Sequence, residues 1–275
     1  MLKPFIKTLQ INPNGSKKAL IIGGVHGNEY TPIYSLMCLN KSLTEILNLE
    51  VNQYGLNEIK EVTLLNGINY TGLSAGTREI ASEMSEDLNR KFVESESENI
   101  FEYLKAQIDL HDIIIDIHAS AGMVNECMLI DLNENAYPYI EWCKKAGVVY
   151  ALRYNDNQTI KKYAIRHGKV GATLEIDGLM PINEHSGIEG AKIVALLLDA
   201  YKSEMFTQTY EQIELSPMAE VKAKKTGIFK FPYLFDYAGN IIEDHSALVK
   251  TAIVKTVDCV YMKPEDLLFT YQPNA

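Results

Sequence analysis

Two histidines and one glutamate lie where a metal ion would find ligands. The run Gly23-Gly24-Val25-His26-Gly27-Asn28-Glu29 joins an apolar β-type stretch, residues 19–22, to a segment of helical spacing. His26 and Glu29 are three residues apart, which puts both side chains on one side of a turn. Imidazole nitrogen and carboxylate oxygen each approach zinc at about 2.0–2.2 Å, and a catalytic zinc takes three protein ligands beside an open water position. His118 is the natural third ligand. It terminates the strongest strand pattern in the chain, Ile113-Ile-Ile-Asp-Ile-His118, where the apolar run meets Ala119-Ser120-Ala121-Gly122. Asp116 stands two residues earlier on the same strand face, placed to hold the free N–H of that imidazole and fix its tautomer. A lone histidine after a strand is more often a hydrogen-bonded structural residue, so the assignment rests on the three residues together.

Two further segments carry chemistry. In Asp87-Leu88-Asn89-Arg90, adjacent Asn and Arg present a fixed set of donors to a substrate carboxylate, with Arg supplying bidentate geometry. The competing reading is a surface arginine in a salt bridge. Glu175, near the end of a β-type run over 171–176, is placed to take a proton from a metal-activated water. The Gly-rich loop also invites a phosphate-binding reading. It is not G-x-G-x-x-G, however, and its Glu29 at a helix start repels phosphate, which argues against a nucleotide site.

The elements that must position these groups follow from periodicity. Residues 31–39 have helical spacing, with Pro32 tolerated in a first turn. Strands are expected at 61–65, 113–118, 128–130 and 171–176. A helix is expected over 191–201, with apolar residues at 193, 194, 197, 198 and 201 on one face. The acidic run from Glu94 to Asn99 suits the positive end of a helix dipole ahead of Ile100. Strands alternating with helices predict an α/β fold with a mixed central sheet flanked by helices. Past Ser203 the texture changes to short β-type runs at 228–231, 247–254 and 257–262, split by Gly, Pro, Asn and Asp. The chain therefore divides into a catalytic α/β domain, 1–204, and a small all-β domain, 205–275, that caps or borders the cleft.

Composition excludes several classes. The 275 residues are 47% hydrophobic and carry a net charge of −10, enough to bury a sizeable core and without the basic face that nucleic acid requires. No apolar stretch reaches the roughly 18 residues of a membrane span, and the N-terminus lacks a secretory apolar run, so a cytoplasmic location is expected. Four cysteines, Cys38, Cys127, Cys143 and Cys259, form no C-x-x-C pair and read as reduced structural residues.

Together these pieces resemble the succinylglutamate desuccinylase and aspartoacylase family, relatives of the zinc carboxypeptidases. The pattern G-x-H-G-N-E is met by Gly24 to Glu29, D-L-N-R by Asp87 to Arg90, and D-L-H is matched by Asp116-Ile117-His118. N-P-x-A followed by G-x-R is loosely met by Asn69-Tyr-Thr-Gly and Gly76-Thr-Arg78. Val170-Gly171-Ala-Thr-Leu-Glu175 is similar to the V-G-x-E context of the catalytic glutamate, and Lys263-Pro264-Glu265-Asp266 to the K-P-G-D element. The resemblance implies one zinc per chain, held by His26, Glu29 and His118. It implies Glu175 as general base and then acid, Asn89 and Arg90 on a substrate carboxylate, and Asp87 behind His26. The implied reaction is hydrolysis of an N-acyl amino acid.

The sequence also departs from the family pattern. Thr71 stands at the place matched to an arginine that polarises the scissile carbonyl, so that aid is missing unless Arg78 or another cation moves in. A second substrate-binding arginine has only Lys161, Lys162 or Arg166 as counterparts, and the family's C-terminal substrate-contacting Tyr has none. The expected partner is a small N-acyl amino acid, with neither nucleic acid nor membrane, and association into a homo-oligomer is left open. Two rival readings are a metallo-carboxypeptidase acting on small peptides and a metal-binding relative that has lost catalysis.

Overall fold

In the computed structural model the first 200 residues are organised around one seven-stranded sheet. The structure describes residues 4–48, 58–81, 86–90, 92, 99–120, 127–131, 140–144, 148–153, 158–179 and 181–200. Toward the C-terminus it describes 219–225, 227–230, 233–235, 238, 240–246, 252–256, 260–262, 264 and 267–272.

The strands are β1 (Phe5–Gln10), β2 (Lys17–Gly23), β3 (Ile59–Asn66), β4 (Ile113–Ser120), β5 (Cys127–Asp131), β6 (Val149–Arg153) and β7 (Val170–Asp177), in the order β1-β3-β2-β4-β7-β5-β6. The central four, β3, β2, β4 and β7, run parallel. β1 is antiparallel on one edge, and the parallel pair β5 and β6 is antiparallel to β7 on the other, so the sheet is mixed. Around it lie α1 (Tyr30–Asn48), α2 (Tyr70–Ala75), α3 (Asn99–Asp109), α4 (Ile160–Arg166) and α5 (Glu184–Ala200).

β4 shows how the sequence pattern builds two cores. Its residues 113–119 are all buried, as a central strand covered on both faces requires. Ile113, Ile115 and Ile117 pack with Leu36 and Leu39 of α1 and with Val194 and Leu197 of α5. On the opposite face Ile114 packs with Leu20 and Ile22 of β2, Phe101 and Leu104 of α3, and Ile160 and Ala164 of α4. Each such fully buried side chain contributes about 1.5–3 kcal/mol. Alternation along β4 carries this second face on from Ile114 to Asp116 and His118, where apolar packing gives way to polar groups.

The chain leaves β2 through α1 to reach β3 on one side, and β4 lies on the other side of β2. A parallel sheet opens a crevice outside its carboxyl ends at such a reversal of strand order. His26 and Glu29 follow β2 there, and His118 is at the same end of β4.

Several elements differ from the sequence expectation. α1 starts at Tyr30 and extends to Asn48, and α5 starts at Glu184 rather than at 191. β1, β6, α2 and α4 were not anticipated, α2 lying in a stretch, 69–90, expected to be rich in loop. In β1 only Leu9 is buried, because an edge strand needs no apolar alternation. α4 is short and is set by its N-cap, with the Thr159 side chain accepting from the Lys162 N–H at 3.2 Å.

The described elements beyond residue 200 are all strands: β8 (Ala219–Lys222), β9 (Gly227–Lys230), β10 (Tyr233–Phe235), β11 (Ile241–Asp244), β12 (Ala252–Thr256), β13 (Val260–Met262) and β14 (Leu267–Gln272). They form two antiparallel sheets, β11-β10-β9-β13 and β12-β14-β8. The expected boundary at 204/205, the acidic run over 94–98, residues 121–122, 247–251 and 257–259, and Lys263, Glu265 and Asp266 lie outside the described residues. Among the described residues no helix is long and apolar enough to cross a membrane.

Candidate metal centre

The loop after β2 is shaped by glycine. Gly24 has φ +75°, in the left-handed region, and a Cβ there would come within 3.0 Å of the Gly67 Cα. The turn is locked by Gly67 N–H donating to Gly23 O at 2.9 Å and Asn69 N–H to Gly24 O at 3.0 Å. At Gly27 a Cβ would fall 2.0 Å from the Gly72 carbonyl carbon, so only glycine lets this loop lie against α2. Asn69 caps that helix by accepting from Gly72 N–H at 2.9 Å.

This packing directs three buried side chains at one point. His26 Nδ1 is 2.6 Å from Glu29 Oε1, His118 Nδ1 is 3.2 Å from Glu29 Oε2, and the two Nδ1 atoms are 3.1 Å apart. Each imidazole turns its other nitrogen to a carboxylate: His26 Nε2 lies 3.1 Å from Asp87 Oδ1, and His118 Nε2 lies 2.6 Å from Asp116 Oδ2. With the Nε2 protons given to those carboxylates, both Nδ1 lone pairs and Glu29 face inward. Lone pairs converging this closely repel one another unless a cation lies among them. Two atoms each about 2.1 Å from one ion are at most about 4.2 Å apart, a condition these contacts meet. Among the described residues, His26, Glu29 and His118 form the group able to hold a metal ion.

The surrounding charges agree with that reading. In the metal-free state burial by itself would raise the Glu29 carboxyl, but the His118 charge, followed by hydrogen bonds that the imidazoles donate from Nδ1 when no cation takes those lone pairs, outweighs it and holds Glu29 well below its usual range. Asp87 is lowered in the same way, against its burial, by His26, Arg78 and the Asn89 N–H. Burial would lower His118, yet Asp116 and Glu29 outweigh it and raise it well above the usual imidazole value. The site favours positive charge at its centre.

The remaining expected residues fall around this centre. Arg78 Nε donates to Asp87 Oδ2 at 2.9 Å, and its Nη1 is 3.5 Å from Glu29 Oε1. Its backbone carbonyl is held by Gly27 N–H and Asn69 Nδ2, both at 3.2 Å. Thr71 instead hydrogen-bonds to Asn69 Oδ1 at 3.3 Å, within the α2 cap. Arg90 is exposed and its Nη1 donates to Asn89 O at 2.9 Å. Asn89 is buried and turned inward toward His118 and Asp116. Glu175 pairs with His118 in the β4–β7 register, which puts both side chains on the same sheet face. Lys161 is buried and donates to Leu129 O at 3.3 Å, whereas Arg166 is exposed.

Three contributors were missed by the sequence reading, two of them backbone groups and one a serine hydroxyl. The Ala119 N–H donates to Glu29 Oε2 at 2.9 Å, and the Ile160 N–H donates to Asn89 Oδ1 at 2.9 Å. Backbone donors are invisible to residue typing. Ser120 Oγ donates to Glu175 Oε2 at 3.1 Å, and its position two residues past His118 was the available signal.

Comparison with known proteins identifies the family and the fold. The sequence profile of the succinylglutamate desuccinylase/aspartoacylase catalytic domain matches residues 15–201. No curated protein matches significantly by sequence. Among solved structures, the ectoine utilization protein of Ruegeria pomeroyi, solved with product bound, superposes with a TM-score of 0.66 at 14% identity, covering 97% of this chain and 87% of that one. A succinylglutamate desuccinylase/aspartoacylase from Rhodobacter sphaeroides gives 0.62 at 15% identity, with 97% and 89% covered. A metallo-carboxypeptidase from Burkholderia cenocepacia gives 0.54 at 16% identity over 71% and 64%. At such identities the structural likeness establishes the fold.

Proposed function

Because the chain belongs to the succinylglutamate desuccinylase/aspartoacylase family, we propose that it is a zinc-dependent amidohydrolase that cleaves the amide bond of a small N-acyl amino acid. The observation that carries this reading is the convergence of His26, Glu29 and His118 on one point, with Glu175 beside His118 in the sheet register. Zinc held there would polarise the amide carbonyl and lower the pKa of bound water to roughly 7.

The chain's own residues supply the rest. Glu175, half-buried and oriented by the Ser120 hydroxyl, takes the proton of the attacking water and returns it to the leaving nitrogen. Arg78 stands between Asp87 and Glu29, where its guanidinium offers positive charge to the carbonyl oxygen as negative charge develops on it. In this role it replaces the arginine that Thr71 does not provide. Arg90, anchored through Nη1 to the Asn89 carbonyl, still has donors for a substrate carboxylate and fixes its orientation.

The test is metal analysis of the purified protein, followed by amine release from N-acetyl, N-succinyl and N-formyl amino acids beside short peptides. About one zinc per chain and release from one acyl series is the expected result. Release from the peptides alone would transfer the assignment to a carboxypeptidase. Bound zinc with no turnover on any substrate would make the chain a metal-binding relative without catalysis.

A further inference from the structure

Asn89 touches the support of both imidazoles at once. Its backbone N–H donates to Asp87 Oδ1 at 2.8 Å, the oxygen that receives His26 Nε2. Its side-chain Nδ2 donates to Asp116 Oδ2 at 3.4 Å, the oxygen that also receives His118 Nε2. The third arm, Oδ1, accepts the Ile160 N–H at the first residue of α4, which fixes which way the amide faces. The same turn is tied to the segment before α4 by Phe92 N–H donating to Gln158 O at 2.9 Å. With 6% of its surface exposed, Asn89 has both ends of its amide committed inside the protein and leaves substrate recognition to its neighbour Arg90.

We propose that Asn89 is a positioning residue for the metal centre: it braces the two carboxylates that orient His26 and His118, and couples them to the start of α4. The inference rests on the metal reading above. Partners standing behind ligating histidines typically control metal affinity by 10–100-fold. A substrate-binding asparagine would act on KM instead.

The experiment compares wild type with Asn89→Ala, which keeps the backbone N–H to Asp87 and removes the amide. The expected result is a zinc dissociation constant raised about 10–100-fold in chelator competition, with KM for the N-acyl amino acid at saturating zinc within about threefold of wild type. Unchanged zinc affinity with KM raised tenfold or more, on the order of a lost substrate hydrogen bond, would overturn it.

A second measurement needs no variant. In wild type, the Asn89 side-chain amide resonances should move on addition of zinc and hold still on addition of N-acetyl-L-aspartate; the reverse pattern also overturns the proposal. Failure of the metal reading is separable from failure of this one. In metal-free protein the imidazole nitrogen signals of His118 should be sharp in wild type and shifted or broadened in Asn89→Ala. An identical signal in both proteins would remove Asn89 from the support of His118, whatever the protein does with zinc.

Discussion

The two ends of β4 each carry a buried histidine, and they behave in opposite ways. His111, two residues before the strand, is 4% exposed, and His118, near its carboxyl end, is 3% exposed, so burial does not distinguish them. Their partners do. His111 Nδ1 donates to Gln107 O at 2.6 Å, and its Nε2 is 2.9 Å from Thr63 Oγ1, both uncharged groups. Burial then dominates and pushes its pKa down, against the weaker pull of the Gln107 carbonyl and nearby Glu61 and Asp112. His118 is buried among carboxylates, and Asp116 and Glu29 overcome the same penalty and push it up. A buried imidazole among neutral partners is a structural crosslink. A buried imidazole whose carboxylates lie on one side and whose lone pair meets another ligand on the other is a cation site.

The comparison can be broken most severely at His118. His118→Ala is expected to lose both metal and catalysis, with zinc below about a tenth of an ion per chain and amine release reduced beyond roughly a thousandfold, read by metal analysis and the amine assay. Full activity in this variant would remove His118 from the ligand set. Glu175→Gln separates chemistry from binding: zinc content should stay near one per chain while kcat falls by about 10²–10⁴, the range for losing a general acid–base group.

Arg78→Ala should keep the metal and lower kcat by about 10²–10³, as for loss of one donor to a developing oxyanion. If kcat holds and only thermal stability changes, Arg78 is a salt-bridge partner of Asp87 and nothing more.

The smallest effect lies at the other end of the strand. The folded pKa of His111 is below its ordinary 6.5, so between the two values the unfolded chain binds the extra proton. Its contribution to stability is complete above about pH 6.5 and is lost as pH falls toward the folded value. His118 runs the other way in metal-free protein: its contribution is present below pH 6.5 and fades as pH rises through its raised folded value. Denaturant titrations of wild type and His111→Gln at several pH values isolate the first effect. The variant should lack up to one proton of pH dependence below 6.5, at most about 1.4 kcal/mol per pH unit. Equal slopes would show that His111 is not held neutral by its burial.

Much of the centre could be read before folding, because its residues lie close to strand ends and carry strong type signals. His26 and Glu29 sit three apart after an apolar run, and Asp116 and His118 two apart on a strand. These local spacings translate directly into shared faces. α4 was not legible, since a seven-residue helix offers too few turns for an apolar period to show. β1 escaped because an edge strand with one buried residue has no alternation to detect. Asn89 illustrates a different limit. Its type and its place beside Arg90 indicate a donor, but whether that donor faces a substrate or the protein interior depends on Ile160, 71 residues away, whose N–H claims the other end of the amide.

By itself the sequence determined which groups are present and which share a local face: two imidazoles, their carboxylates, a glutamate on a third strand, and apolar runs able to bury them. Only the tertiary structure decided that β2 and β4 are neighbours, which brings His26 Nδ1 within 3.1 Å of His118 Nδ1 across 92 residues of chain. It also decided that Arg78 leans on Asp87 and that Asn89 turns inward. The physical reason is that side-chain periodicity is fixed by backbone geometry over a few residues, while strand order is fixed by which apolar faces bury one another across the whole sheet.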